Sequence, residues 1–204
     1  MVDVYLEVGK KRVFACAVDW PGWARGAKDA DGALALLEDY RARYAPVAAA
    51  AGFPPPEGPL RVVETVLGDA TTDFGAPGRV PVLDAEALSK GDAGRLAALV
   101  RSCWVSLDAT AAVAPPTLRK GPRGGGRDRD DVVRHVLAAE VAYSRKVGLR
   151  WSGAQAASEV VAFRAELARL LAEPAAEASW PVRYAGRRIG WHVLDHAWEI
   201  EDKS

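Results

Sequence analysis

The hydrophobic pattern of this chain changes period once. Over Val4 to Val8 apolar and polar residues alternate, and Gly9-Lys10 is a turn signal. Val13 to Val18 reads as a more buried strand, with Phe14, Cys16 and Val18 on one face, and Trp20-Pro21-Gly22-Trp23 breaks it. Asp29 or Asp31 can cap a helix that runs to about Ala50, on which Ala33, Leu36, Leu37, Tyr40, Tyr44 and Val47 recur at helical spacing. Phe53-Pro54-Pro55-Pro56 stops that helix, because proline has no N–H to continue it. Leu60 to Leu67 has strand composition again. Gly68 to Gly78 is a loop, and Arg79 to Leu83 a short strand that Pro81 confines to an edge. The first 84 residues therefore predict the order ββαββ.

From Ser89 the period becomes helical. Leu96, Leu99, Val100, Cys103, Trp104 and Leu107 mark a helix from about Asp92 to Ala112. Pro115-Pro116 and a surface connection over Gly121 to Gly126 follow. Asp128 or Asp130 can cap a second helix to about Val147, a third runs from Ala154 to Ala172 and ends before Pro174, and a fourth spans Arg187 to Ser204. Four helices of this length have the proportions of a bundle. The expected architecture is α+β, with a small ββαββ domain over residues 1–84 and a four-helix bundle over residues 85–204.

The fourth helix is apolar on two sides. Ile189, Val193, Ala197 and Ile200 form one stripe, and Trp191, Leu194 and Trp198 a second on the opposite side. Such a helix must be covered twice, once by its bundle and once by something else, either the N-terminal domain or a second copy in a homodimer. On the edge of the first stripe lie His192 and His196, whose i, i+4 spacing places both imidazoles on one face a turn apart. The remaining histidine, His135, falls on the second bundle helix with Val132, Val136, Ala139 and Tyr143 on its side, so it faces inward, with Asp131 one turn before it. Bundles build metal sites from side chains on facing helices. Three neutral imidazoles suit Zn²⁺, Ni²⁺ or Fe²⁺ and leave coordination positions open, as catalytic sites do. A histidine on an apolar helix face is also an ordinary core residue, and the pattern alone does not separate the two.

Composition narrows the partners. Lys plus Arg equals Asp plus Glu, at 27 each, which gives no electrostatic case for nucleic acid or an anionic membrane. No apolar run approaches the roughly 20 residues of a membrane helix, and the N-terminus has no signal-peptide pattern. Cys16 and Cys103 lie far apart in apolar segments and read as free buried thiols, so the expected setting is cytoplasmic.

Arg129 to Val147 (RDDVVRHVLAAEVAYSRKV) followed by Trp191 to Asp202 (WHVLDHAWEIED) resembles the DinB-like family of four-helix proteins. The resemblance covers about residues 85–204 and implies an antiparallel four-helix bundle. It also implies a divalent metal, often zinc or nickel, held by His135, His192 and His196. Thiol chemistry is implied too, since family members include transferases using mycothiol or bacillithiol; the cosubstrate would be such a low-molecular-weight thiol and the partner a small-molecule substrate. Phe14 to Tyr40 (FACAVDWPGWARGAKDADGALALLEDY) is similar to the HicB-like fold, used here to cover the bundle rather than to act as an antitoxin, because neither a helix-turn-helix nor a basic patch accompanies it. Three functions stay open: a metal-dependent thiol S-transferase, a metal-dependent hydrolase, and a non-catalytic binding or interaction module.

Several further residues have two readings. Asp195 and Glu199 flank the histidines as candidate general bases or partners of the metal-binding rings, or belong to a solvated acidic cluster with Glu201 and Asp202. Tyr143 faces the pocket or the core. Trp20, Trp23, Trp191 and Trp198 line a ligand pocket or fill an interface. Arg187 and Arg188 bind an acidic substrate group or are solvated surface charge.

Overall fold

The computed structural model describes residues 1–121, 125–152, 156–173 and 178–204. The expected connection over Gly121 to Gly126 lies partly outside them, as do the expected helix start at Ala154 and stop at Pro174.

Strands β1 (Val2–Val8), β2 (Val13–Ala17), β3 (Ala24–Ala27) and β4 (Leu60–Leu67) form one sheet in the order β3-β2-β1-β4. β1 pairs antiparallel with β2 and parallel with β4, and β3 pairs antiparallel with β2. Between β3 and β4 lie α1 (Ala30–Asp39) and α2 (Arg41–Ala50). The α+β class is as expected, but the order is βββααβ, not ββαββ.

Each departure has a physical cause. β3, sequence Ala-Arg-Gly-Ala, has no alternating or β-branched signature; it joins the sheet through backbone bonds, and Gly26 is needed because the Phe14 ring stands 2.7 Å from where a Cβ would lie. The single expected helix divides at Tyr40, whose ring is pinned between the Arg25 guanidinium at 4.0 Å and the Trp198 ring at 5.0 Å. Asp29 caps α1 as expected, accepting from the Gly32 N–H at 2.8 Å. The expected loop after β4 contains a short helix, α3 (Ala70–Phe74), closed by an Asp69/Thr72 capping box. Arg79 to Leu83 is not a strand, because side-chain carboxylates replace a neighbouring strand as acceptors: Glu7 takes the N–H groups of Gly78 and Arg79, and Glu64 those of Val82 and Leu83. Val82–Ala85 is a turn of 3₁₀ helix instead.

The bundle consists of α4 (Lys90–Val113), α5 (Arg129–Ser144), α6 (Ala157–Ala172) and α7 (Val182–Lys203). It is not antiparallel throughout. Gly186 abuts Leu96 near the start of both helices, and Thr110 donates to Glu201 at 3.2 Å near their ends, so α4 and α7 run in the same direction. By length and composition α4 is apolar enough to cross a membrane, contrary to the sequence reading. Here Leu96, Leu99, Val100, Cys103, Trp104 and Leu107 on it are buried, and it packs against α7, α6 and α2.

The second apolar side of α7 is covered by the N-terminal elements of the same chain. Trp191 meets Phe14 edge-on at 6.0 Å, and Trp198 meets Tyr40. Gly22, with φ at +94°, sits against Leu194 and the Gly190 carbonyl, and the Tyr44 hydroxyl donates to the Pro21 carbonyl at 2.9 Å. The stripe is therefore an internal interface and not a dimer face. Of the four tryptophans singled out in the sequence, Trp20 and Trp23 pack on Tyr44, so all four take part in this packing. One buried cluster runs from Val4 and Ala15 through Val100 and Leu107 to Ile189, so the core is continuous across residue 85.

A Cβ on Gly190 would lie 2.9 Å from the Gly22 nitrogen and 3.0 Å from the Pro21 carbonyl carbon, both backbone atoms. Gly190→Ala is predicted to lower unfolding free energy by about 1–3 kcal/mol through overpacking. Gly94→Ala, in open space on α4, should raise it by about 0.5–1 kcal/mol. Urea unfolding of both variants checks the pair.

Candidate metal centre

His192 and His196 stand one turn apart on α7 and His135 faces them from α5. Ring centroids are 4.7 Å apart for His192–His196, 5.1 Å for His135–His192 and 5.0 Å for His135–His196. One ligand nitrogen from each ring lies within 4.8 Å of the others. Nitrogens bound to one tetrahedral zinc at about 2.0–2.1 Å stand roughly 3.4 Å apart, so small side-chain rotations close the triad on an ion. The packing that brings them together is local. Val132 and Val136 are buried and turn α5 inward, while Ile189, Val193, Ala197 and Ile200 hold α7 in the core.

The donor chemistry fits a divalent cation. Burial, then His196 and His135, push the His192 pKa down to about 3, and burial lowers that of His135 as well. Both rings are thus neutral near pH 7, the form that offers a lone pair. His192 Nδ1 is buried and has no hydrogen-bond partner among the described residues, so it is available to an ion. Glu199 meets His196 Nδ1 at 2.7 Å. This carboxylate–imidazole contact holds the Nδ1–H tautomer and leaves Nε2 free for an ion. Lys203 pairs with the other Glu199 oxygen, and His196 first, with Lys203 behind it, holds the Glu199 pKa down to about 2. A carboxylate so firmly ionised orients a ring well but is a poor proton acceptor at neutral pH.

Of the residues singled out in the sequence, Tyr143 is at the site, its ring 5.9 Å from His192 and edge-on. Asp195 is not: it pairs with Arg25 at 2.9 Å and ties α7 to β3. Asp131 pairs with Arg134 instead of orienting His135. Arg187 is buried, in contact with Asp84 and with the Val18 carbonyl, so it is structural. Arg188 is half-buried, and its guanidinium lies 5.4 Å from the Tyr143 ring that borders His192. Cys16 and Cys103 are buried free thiols, and burial pushes the Cys16 pKa up to about 12, which makes it a poor nucleophile. Two residues escaped the sequence reading. Lys203 was recoverable from its i, i+4 spacing to Glu199. Arg127, which acts on both His135 and His192, sits in the glycine-rich connection and gives no periodic signal.

Wild-type chain purified without chelators is predicted to retain divalent metal by elemental analysis and His192→Ala to lose it. Glu199→Gln should weaken metal affinity by about 10–100-fold, as removal of a ring-orienting partner does, with the thermal midpoint of the metal-free protein little changed. Equal affinity in Glu199→Gln and wild type would contradict the orienting role.

No family model, no curated protein and no solved structure matches this chain.

Proposed function

We propose that the chain is a metal-dependent enzyme of DinB-like type whose three-histidine centre holds zinc or nickel, with iron third, and that it transfers a group to a low-molecular-weight thiol such as mycothiol. The observation that carries this reading is the convergence of His135, His192 and His196, all the histidines of the protein, from two helices onto one point. A bound divalent ion supplies Lewis acidity, which lowers the pKa of a thiol or water at neutral pH. The chain's own residues do the rest. His135 and His192 stay neutral by burial, Glu199 fixes the His196 tautomer, and Tyr143 borders the space beside His192. In the transfer the thiol sulfur forms a bond to the acceptor carbon, the leaving group departs with its bonding pair, and the thiol proton is released.

A second reading, a non-catalytic binding module with the same fold, has one observation in its favour. A concave surface of about 570 Å³ runs along α4 and α6 beside Trp104, Val105 and Val161, away from the triad. A metal-dependent hydrolase is the third reading.

The three separate in one assay. Thiol consumption with a simple alkyl halide acceptor is expected to need both the metal and the thiol, to vanish with chelator or His192→Ala, and to return on adding zinc or nickel. Turnover of ester substrates without thiol would support the hydrolase. A metal-loaded chain that turns over neither would leave the binding module.

A further inference from the structure

Beyond the histidines, α7 carries a line of polar groups on the same face. Arg188, His192, His196, Glu199 and Lys203 recur at three- and four-residue spacing, and all but His192 are partly exposed. Four residues of helix rise about 6 Å, so Arg188 stands one turn before His192. α5 runs antiparallel to this face: His135 lies against His192 and His196, and two turns on Tyr143 lies against His192 and Arg188. Between them on α5 is Ala139, too small to fill the space that a larger side chain would occupy.

The charges along this line do not cancel. Glu199 is taken up by His196 and Lys203, and Asp195 by Arg25. Arg187, the neighbour of Arg188, is neutralised by Asp84. Arg188 has no carboxylate partner among the described residues. One of its nitrogens donates to the Pro77 carbonyl at 2.8 Å, and its guanidinium lies 4.9 Å from the Trp191 ring and 5.4 Å from the Tyr143 ring. Those contacts fix its position and leave the rest of its donor fork unused. The Tyr143 ring lies against both the Arg188 guanidinium, at 5.4 Å, and the His192 ring, at 5.9 Å, which places that charge beside the histidines. An uncompensated cation one helical turn from a cluster of imidazoles favours an anion.

We infer that the ligand of the histidine centre carries a carboxylate, received by Arg188 one helical turn from the atom that meets the metal. The inference rests on the metal-centre reading above and names the substrate class for it: a small molecule with a metal-binding atom at one end and a carboxylate a few bonds away. A planar arginine fork matches a carboxylate in geometry as well as charge.

The test uses the full chain loaded with cobalt(II), whose visible spectrum reports a change of ligand, and two probes: 3-mercaptopropionate and its neutral isostere 3-mercaptopropanamide. Both present the same thiol, so the acid-over-amide ratio isolates the carboxylate. Wild type is expected to bind the acid more tightly by about tenfold, the scale of one charge-assisted contact. Arg188→Gln, which keeps a donor for Pro77, should lose most of that ratio while binding cobalt as wild type does, and Arg188→Lys should keep part of it. Equal binding of acid and amide by wild type, an unchanged ratio in Arg188→Gln, or no binding of either thiol by the cobalt-loaded chain would overturn the inference while leaving the metal centre standing. Failure of wild type to take up cobalt would instead overturn the metal-centre reading, and this inference with it.

Discussion

Helix α7 is enclosed on both of its apolar sides, and the rest of the molecule depends on how that is done. On one side are α4 and α5; on the other, the Trp20–Trp23 turn brings its backbone against Gly190, with Gly22 in a left-handed conformation that leaves no room for a side chain. Backbone-to-backbone contact fixes helix position more tightly than interdigitated side chains can, because no rotamer change relieves a misfit. The contact is two residues from His192. Trp191 against Phe14, Arg25 against Asp195 and Trp198 against Tyr40 continue the seam along the helix. The N-terminal sheet is thus less an independent module than the wall that sets the height and rotation of the helix bearing the site.

With both apolar sides covered, only one narrow face of α7 is left for chemistry. That face carries the two histidines, Glu199 against His196, and Arg188, which has no carboxylate partner among the described residues. The same burial that packs the helix strips water from His192 and keeps it neutral, so packing and ligand readiness have one cause. Elsewhere buried charge is compensated: Glu140 receives Trp104 Nε1–H and Arg164, and Glu7 receives Thr72 and two backbone amides. At the site, His192 Nδ1 has no hydrogen-bond partner and Arg188 no carboxylate among the described residues, and it is there that a ligand would supply both.

Much of this was legible in the residues. The four bundle helices follow from the 3.6-residue period, β4 from its composition, and the double amphipathicity of α7 from its two stripes. What escaped depends on contacts distant in sequence. β3 has no pattern because its pairing is carried by backbone; the segment after Gly78 looks like a strand until Glu7 and Glu64 are seen to take its amides. The shared direction of α4 and α7 is set by the long excursion through α5 and α6, which periodicity does not encode. At the site, the histidines were visible through their spacing, while the fates of Arg187 and Arg188, adjacent and chemically alike, were decided by a single partner, Asp84, on another element.

The central claim is that His135 on α5 and the His192/His196 pair on α7 bind one ion together. X-ray absorption at the edge of the bound metal tests it most directly, because imidazole rings scatter with a distinctive multiple-scattering pattern. Three imidazole nitrogens at about 2.0–2.1 Å, falling to two in His135→Ala, is the predicted result. A chain that holds no metal, or a metal whose imidazole count is the same with and without His135, would contradict it.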